Sequence, residues 1–302
     1  MRYAFIQEQQ FEPARFKQTN SVNYSVTHSV VALCRSLQVS RSGYYDWLTR
    51  EPSARDAQDR TLLATIEHAH AKHRGNYGAL KTWKYLGSQG IAAGKHRIAR
   101  LRAQAGIEAT RKRRFRRTVE HRKTPEIGPD LLNRVFTASA PNRVWVGDMT
   151  YVRTRQGWLH LAMMMDVYSR KIVGWAMGAH PNAPLHDAAL RMAIEQRRPD
   201  AGLIHHTDRG LLYRTGSYRS LLGAAAMVQS MSGRKSAYDN AMAESFFSNL
   251  KNELVHHCDF QTRHEAQLAI FDYIEMFYNR NRIHQSLGYK TPVQFEAQYR
   301  AP

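Results

Sequence analysis

Three acidic residues occupy positions where a carboxylate is either costly or close to ligands. Asp148 interrupts the apolar run VWVGDMTYV over 144–152. A carboxylate inside a buried strand is expensive unless it is paired or binds metal. Asp208 ends a second apolar run, 203–207, just before Arg209 and Gly210. Open α/β sheets collect their ligands at such strand ends. Glu244 lies in YDNAMAESFFSNLKNEL, where a helix is predicted over 240–254. Asp239 and Asn240 suit its N-cap, because their side chains accept from first-turn amides. Met242, Phe246, Leu250 and Leu254, with Phe247, form one apolar face, while Glu244, Ser248 and Lys251 fall on another. A carboxylate and a lysine on one edge could meet a metal and a phosphate. A plain solvated helix face fits the same spacing. Asp208 and Glu244 have 35 residues between them.

The elements that must position these residues follow from periodicity. Strands are predicted over 144–152, 158–168 and 171–177, with turns at 155–157 and 169–170, and loops this short imply an antiparallel meander. Helices at 185–196, 217–225 and 240–254 alternate with strands at 203–207 and 227–231, and a long helix covers 263–278. Three antiparallel strands followed by alternating helix and strand give a mixed α/β sheet with helices on both faces. Met163, Met164 and Met165 read as core. His205 and His206 read as packing in a strand and turn, and Asp166, beside a turn, as structural or supporting. The basic segment YNRNRIHQSLGYKTP closes the chain, and its Arg280, Arg282 and His284 are expected to grip DNA, as Lys251 is.

Upstream, the pattern is helical. Val30, Leu33, Cys34 and Leu37 share a face, a break follows at Gln38 and Val39, and Ser40 caps a second helix through Tyr44, Tyr45, Trp47 and Leu48. This is helix-turn-helix spacing, though a plain helical hairpin matches it too. A helix over 57–73 carries His68, His70 and His73, read as a solvated face. A second two-helix unit follows, 79–86 and 95–105, with its turn at 87–94. Its second helix buries Ile98 and Leu101 and offers Lys95, Arg97, Arg100 and Arg102 to a DNA groove. Then comes RKRRFRR, with Arg111, Lys112, Arg113, Arg114, Arg116 and Arg117 as six basic residues in seven, expected to neutralise phosphates. The predicted organisation is a helical segment over 1–56, a second helix-turn-helix region with its basic run over 57–117, a linker over 118–140, and a catalytic core with C-terminal helix and basic tail over 141–302. Residues 1–25 give no clear pattern.

Composition narrows the partners. The 302 residues hold 44 Lys and Arg against 25 Asp and Glu, a net charge of +19. Such an excess favours a polyanion, and nucleic acid is the commonest. No run reaches the 18 apolar residues of a membrane span, and the N-terminus lacks an apolar signal core. Two cysteines, Cys34 and Cys258, make no disulfide framework, as expected of a cytoplasmic protein.

Taken together, WVGDMTYV, DVYSRKIVGW, HTDRG with Tyr213, DNAMAESFFSNLKNE, YNRNRIHQSLGYKTP and YGALKTWKYLGSQGI resemble the OrfB-type catalytic subunit of insertion-sequence transposases of the IS-three family. That family lies within the DDE superfamily of retroviral-integrase-like cores. The resemblance implies an RNase H-like core in which Asp148, Asp208 and Glu244 coordinate two Mg²⁺ ions, with Mn²⁺ as a substitute. It implies DNA cleavage by water and strand transfer by a 3′-hydroxyl, on double-stranded element ends and target. It also implies a homo-oligomer on DNA, association or fusion with an upstream helix-turn-helix protein, and a nucleoid location when bound. The retroviral zinc module has no counterpart here, so no zinc is expected. Gly147, often Thr in the family, and Leu211–Leu212, where a polar residue is commoner, depart from the pattern. A non-catalytic DNA-binding regulator or decayed relic is the alternative, and a stand-alone RNase H-class nuclease a weaker one.

Overall fold

A computed structural model describes residues 2–11, 29–51, 53–110, 129–132, 136–232 and 241–300. The chain divides into two compact units, 1–62 and 63–302. In the first, α1 (Arg2–Phe11), α2 (Val30–Ser36) and α3 (Arg41–Thr49) surround Ile6, Cys34 and Tyr44. Ser29 and Ser40 cap α2 and α3 by accepting from the amides of Ala32 and Gly43, each at 3.2 Å. Helix α1 was not legible, because its apolar residues bunch at Tyr3–Ile6 and do not recur at helical spacing through the following QEQQ.

Helix α4 (Ala54–Lys72) leads to α5 (Ala79–Ser88) and α6 (Lys95–Gln104). Ile98 and Leu101 of α6 are buried, as the spacing predicts, and so is Leu86 of α5. The basic face of α6 needs a correction. Lys95 and Arg100 are exposed, but Arg102 is buried and donates to Thr82 Oγ1 at 3.2 Å. Its guanidinium joins α5 to α6 rather than facing a ligand.

The core of the second unit is a five-stranded sheet: β1 (Val144–Thr154), β2 (Gly157–Asp166), β3 (Ile172–Gly178), β4 (Ile204–Thr207) and β5 (Val228–Met231). Its order is β3-β2-β1-β4-β5, with β1–β2 and β2–β3 antiparallel and β1–β4 and β4–β5 parallel. Helices α7 (Ala183–Arg197) and α8 (Gly216–Ala224) pack their Ala189, Leu190 and Leu222 with Trp145, Ala162 and Met164. Val146, Val152, Leu161, Met163 and Met165 form the other core with Phe246, Leu250 and Ile270 of α9 (Ala241–Glu253) and α10 (Arg263–Asp272). The three methionines thus alternate between two cores, as a strand's period of two requires. At Gly174 an added Cβ would collide with the Ala189 carbonyl, so α7 lies directly on β3.

Past α10 the predicted long helix widens into a π-helical turn, Tyr273–Tyr278, and the chain then continues through α11 (Pro292–Arg300). The closing segment is therefore folded, and two of its predicted DNA contacts are inside. Arg282 Nε and Nη2 donate to both Glu253 oxygens at 2.7–3.1 Å, and Tyr273 donates its hydroxyl to Glu253 Oε2 at 2.9 Å. His284 is buried with its ring centroid 5.0 Å from that of Tyr278. Burial, then neighbouring Arg282, pull its pKa down to about 2, so it is a neutral packing residue. Arg280 alone of the three stays exposed. Tyr77 joins the α4–α5 connection to this segment, donating to Asn281 O (3.1 Å) and accepting from Ile283 N (2.8 Å).

Replacing Arg282 by Ala strands the buried Glu253 carboxylate. The expected cost is about 3–5 kcal/mol in urea unfolding, whereas the paired replacement Glu253→Leu with Arg282→Met recovers most of it.

Candidate active site

Strand pairing brings the two aspartates together. The last β1–β4 pair is Val146 with His206. Continuing that parallel register by two residues sets Asp148, in the middle of β1, level with Asp208, just past the C-terminal end of β4. Asp208 is exposed in a tight turn, where its Oδ1 accepts from Gly210 N at 2.8 Å. A Cβ on Gly210 would sit 2.8 Å from that same oxygen, so a side chain there would disturb the carboxylate. The half-buried Asp148 accepts from the amide of Met149 at 2.7 Å. Gly147 has no room for a side chain, because a Cβ would meet the His205 ring at 2.8 Å and Met164 Sδ at 3.0 Å.

Helix α9 supplies the third carboxylate. Met242, Phe246, Phe247 and Leu250 are buried as predicted, which leaves Glu244, Ser248 and Lys251 facing a cleft of about 920 Å³. Asp148, Thr150 and Tyr151 form its opposite side. Asp239 and Asn240, the predicted caps, lie outside the described residues, as does the whole basic run 111–117. Asp208 stands outside the lining of this cleft but acts on Asp148 through its charge. Burial, then Asp208 and Glu244, push the Asp148 carboxyl up to about 7, against the opposing Met149 amide and Lys251. Half-buried Lys251 has its own pKa lowered by desolvation, partly offset by Asp148. Its Nζ lies 5.3 Å from the centre of the Tyr151 ring.

The donor set is three carboxylates, the oxygen ligands that hard divalent cations take. The raised Asp148 pKa records burial first and then repulsion from Asp208 and Glu244, and such a cation would relieve the repulsion. Among the described residues, no three His, Cys, Asp or Glu are gathered closely enough to enclose an ion. The chemistry fits a divalent cation, while the carboxylates do not form a closed cage.

The supporting residues divide clearly. Asp166 is fully buried and accepts from Asn142 N (2.7 Å), Ser169 N (2.8 Å) and Ser169 Oγ (2.9 Å), so it braces the β2–β3 turn. His205 bonds Tyr218 OH at 2.7 Å and His206 bonds Ser230 Oγ at 2.8 Å, both as packing groups. His73 is buried, its ring stacked 4.0 Å from Tyr77, not on a solvated face as expected. Tyr213 carried no predicted role. It is buried, its hydroxyl finds no hydrogen-bond partner among the described residues, and it feels the charges of Asp148 and Asp208. Only its place five residues after Asp208 hinted at this.

Comparison with known proteins gives matches along most of the chain. Residues 138–237 and 244–299 match two family models, each described as an integrase core domain, and 57–115 match an HTH-like domain. The chain is 44% identical over 267 residues to the insertion element IS600 uncharacterized 31 kDa protein of Shigella sonnei, covering 88% of this chain and 98% of that one. It is 35% identical over 298 residues to transposase InsF for insertion sequence IS3A of Escherichia coli, covering 98% of both. Among solved structures it is similar to the HTLV-2 integrase catalytic core domain in complex with magnesium, at 17% identity and a TM-score of 0.40, covering 52% of this chain and 98% of that one.

Asp148→Asn removes a charge that the fold holds against repulsion. Without divalent metal, wild type carries this penalty fully above about pH 7 and sheds it as pH falls toward the ordinary carboxylate range. In EDTA the variant is therefore expected to melt a few degrees higher at pH 8, with the gain shrinking by pH 5.

Proposed function

Because the chain belongs to the IS3 family of insertion-sequence transposases, we propose that Asp148, Asp208 and Glu244 are its catalytic carboxylates and that they hold two divalent cations, Mg²⁺ with Mn²⁺ as a substitute. The protein is a DNA transposase with an integrase-type core. The single observation that best supports the triad is the Asp148 carboxyl, raised to about 7 by burial and by both other members. A bound pair of cations supplies activation of the attacking oxygen and stabilisation of the leaving oxygen in an in-line displacement at phosphorus.

The chain's own residues do the rest. Asp148 sheds its proton to become a ligand, so cation affinity rises with pH through about 7. Lys251, on the same α9 face as Glu244, faces the cleft and neutralises a phosphate of the DNA. In cleavage, a water oxygen bonds to phosphorus as the P–O3′ bond breaks, and the 3′-oxygen takes a proton. In strand transfer, that 3′-hydroxyl attacks a target phosphodiester, so one P–O bond forms as one breaks. Neither step needs a covalent protein–DNA link. The exposed Lys95 and Arg100 of α6, in the region matching the HTH-like model, hold DNA by its phosphates. On the same reading the working form is a homo-oligomer on paired element ends, alone or joined to an upstream helix-turn-helix protein. In support, the net charge of +19 suits two DNA segments held at once.

Asp148→Ala, Asp208→Ala and Glu244→Ala are each expected to reduce Mg²⁺-dependent strand transfer by more than about 100-fold, the upper end of the cost of losing an outer-shell partner. Gel shifts should show DNA binding retained. Full joining by any one variant would remove that residue from the triad. Lys95→Ala with Arg100→Ala is expected to lower the slope of log affinity against log salt by about 2 and to weaken all sequences alike.

A further inference from the structure

The β1–β2 hairpin exposes aromatic surface that the core does not explain. Along β1, Thr150, Val152 and Thr154 are buried, while the alternating Tyr151 and Arg153 are exposed. In the antiparallel register Tyr151 faces His160 and Arg153 faces Trp158, so these four side chains share one face. Tyr151 is 54% and Trp158 49% exposed. Their rings meet edge to face at 5.0 Å, with the His160 ring 6.4 Å from Tyr151. Two large neighbouring aromatics left half open mark a binding surface more often than a scattered pair does.

Asp148 belongs to the alternate face of β1, and Tyr151 reaches its cleft where β1 runs past its last pair with β4, because Tyr151 lines that cleft too. A second cleft of about 690 Å³, lined by Arg153, Trp158, Val255 and Cys258, shares Tyr151, Lys251 and His256 with the first. Lys251 bridges the two. Its charge acts on Asp148, and its ammonium lies 5.3 Å from the Tyr151 ring centre. Three residues of extended strand separate Tyr151 from Asp148, a span of about 10 Å. That is roughly three base steps of DNA along the helix axis.

We propose that Tyr151 and Trp158, flanked by Lys251 and Arg153, form a seat on which an unpaired nucleobase near the scissile phosphate stacks. The proposal rests on Asp148 and Glu244 marking where the phosphate is cut. Paired bases in a duplex offer no free π-face, so a duplex alone would call for cations without aromatics. Rings interleaved with cations are the pattern that holds unpaired strands. Cutting one strand frees its terminal bases to fray, and these emerge beside the carboxylates. The seat would hold such a base aside while the 3′-oxygen stays aligned.

The test uses the full chain carrying Asp148→Ala, so that DNA is bound and not cut. Its DNA is an element-end duplex, either blunt or with three unpaired terminal nucleotides, and 2-aminopurine is placed at each unpaired position in turn. The seat predicts quenching at one position and tighter binding of the frayed DNA. Adding Tyr151→Ala and Trp158→Ala should abolish the quenching and weaken frayed-DNA binding about tenfold or more, leaving blunt-duplex affinity unchanged. Tyr151→Phe with Trp158→Phe keeps the rings and should retain both signals. Retained quenching in the alanine variant overturns the proposal. So do equal losses on frayed and blunt DNA, or an effect confined to oligomeric state in sedimentation, which would assign the face to a second copy of the chain. Failure of the triad reads out separately, as strand transfer that survives Asp148→Ala.

Discussion

Repulsion between a carboxylate in the middle of β1 and one just past the end of β4 is the constraint around which the core is arranged. The parallel register that pairs Val146 with His206 commits Asp148 and Asp208 to neighbouring positions. Glu244 then adds a third negative charge from α9, and the half-buried Asp148 answers by holding its proton up to about pH 7. A fold selected for stability alone would not place three acids so that two raise the pKa of the third. A bound cation would relieve that local cost, and the rest of the unit must be firm enough to carry it.

Much of that firmness lies at the far end of α9. Its first turn bears Glu244, its middle is fixed by Phe246 against Tyr278 at 4.8 Å, and its last residue, Glu253, is clamped by Arg282 and Tyr273. The closing segment is thus a brace for the helix that carries a carboxylate. Asn279 ties the same segment to the sheet, accepting from Ile172 N (2.9 Å) and donating to Ile172 O (3.0 Å), as a neighbouring strand would. Tyr273, Ile274, Phe277 and Tyr278 of the π-helical turn just before it all enter the core.

How much of this was legible depends on the range of each interaction. Strand period, short turns and the apolar stripe of α9 are local signals, and they placed all five strands and the face bearing Glu244 and Lys251. The mixed sheet followed from element order alone. Failures cluster where a basic residue finds a partner far along the chain. Arg282 looks like a surface arginine among basic neighbours, and nothing local announces Glu253, 29 residues earlier. Arg102 sits on a basic helix, but helical geometry turns it toward Thr82, 20 residues back. His284 was grouped with DNA contacts by composition, whereas burial beside Arg282 keeps it neutral. The widening of the helix after Asp272 and the short α11 beyond Pro292 left no period long enough to read.

These misplacements change what the net charge of +19 means. Part of the arginine content is internal cement, so the surface available to DNA is smaller and more specific than composition suggests. Among the described residues that line the carboxylate cleft, the lysine is Lys251, half-buried and set over an exposed tyrosine. A broad field would hold duplex anywhere along its length. Lys251 and Arg153 beside two aromatic rings, about 10 Å from Asp148 along β1, instead favour one nucleotide in one position. Selectivity of this kind is what a strand-transfer enzyme needs, because its chemistry must occur at a single phosphodiester among many alike.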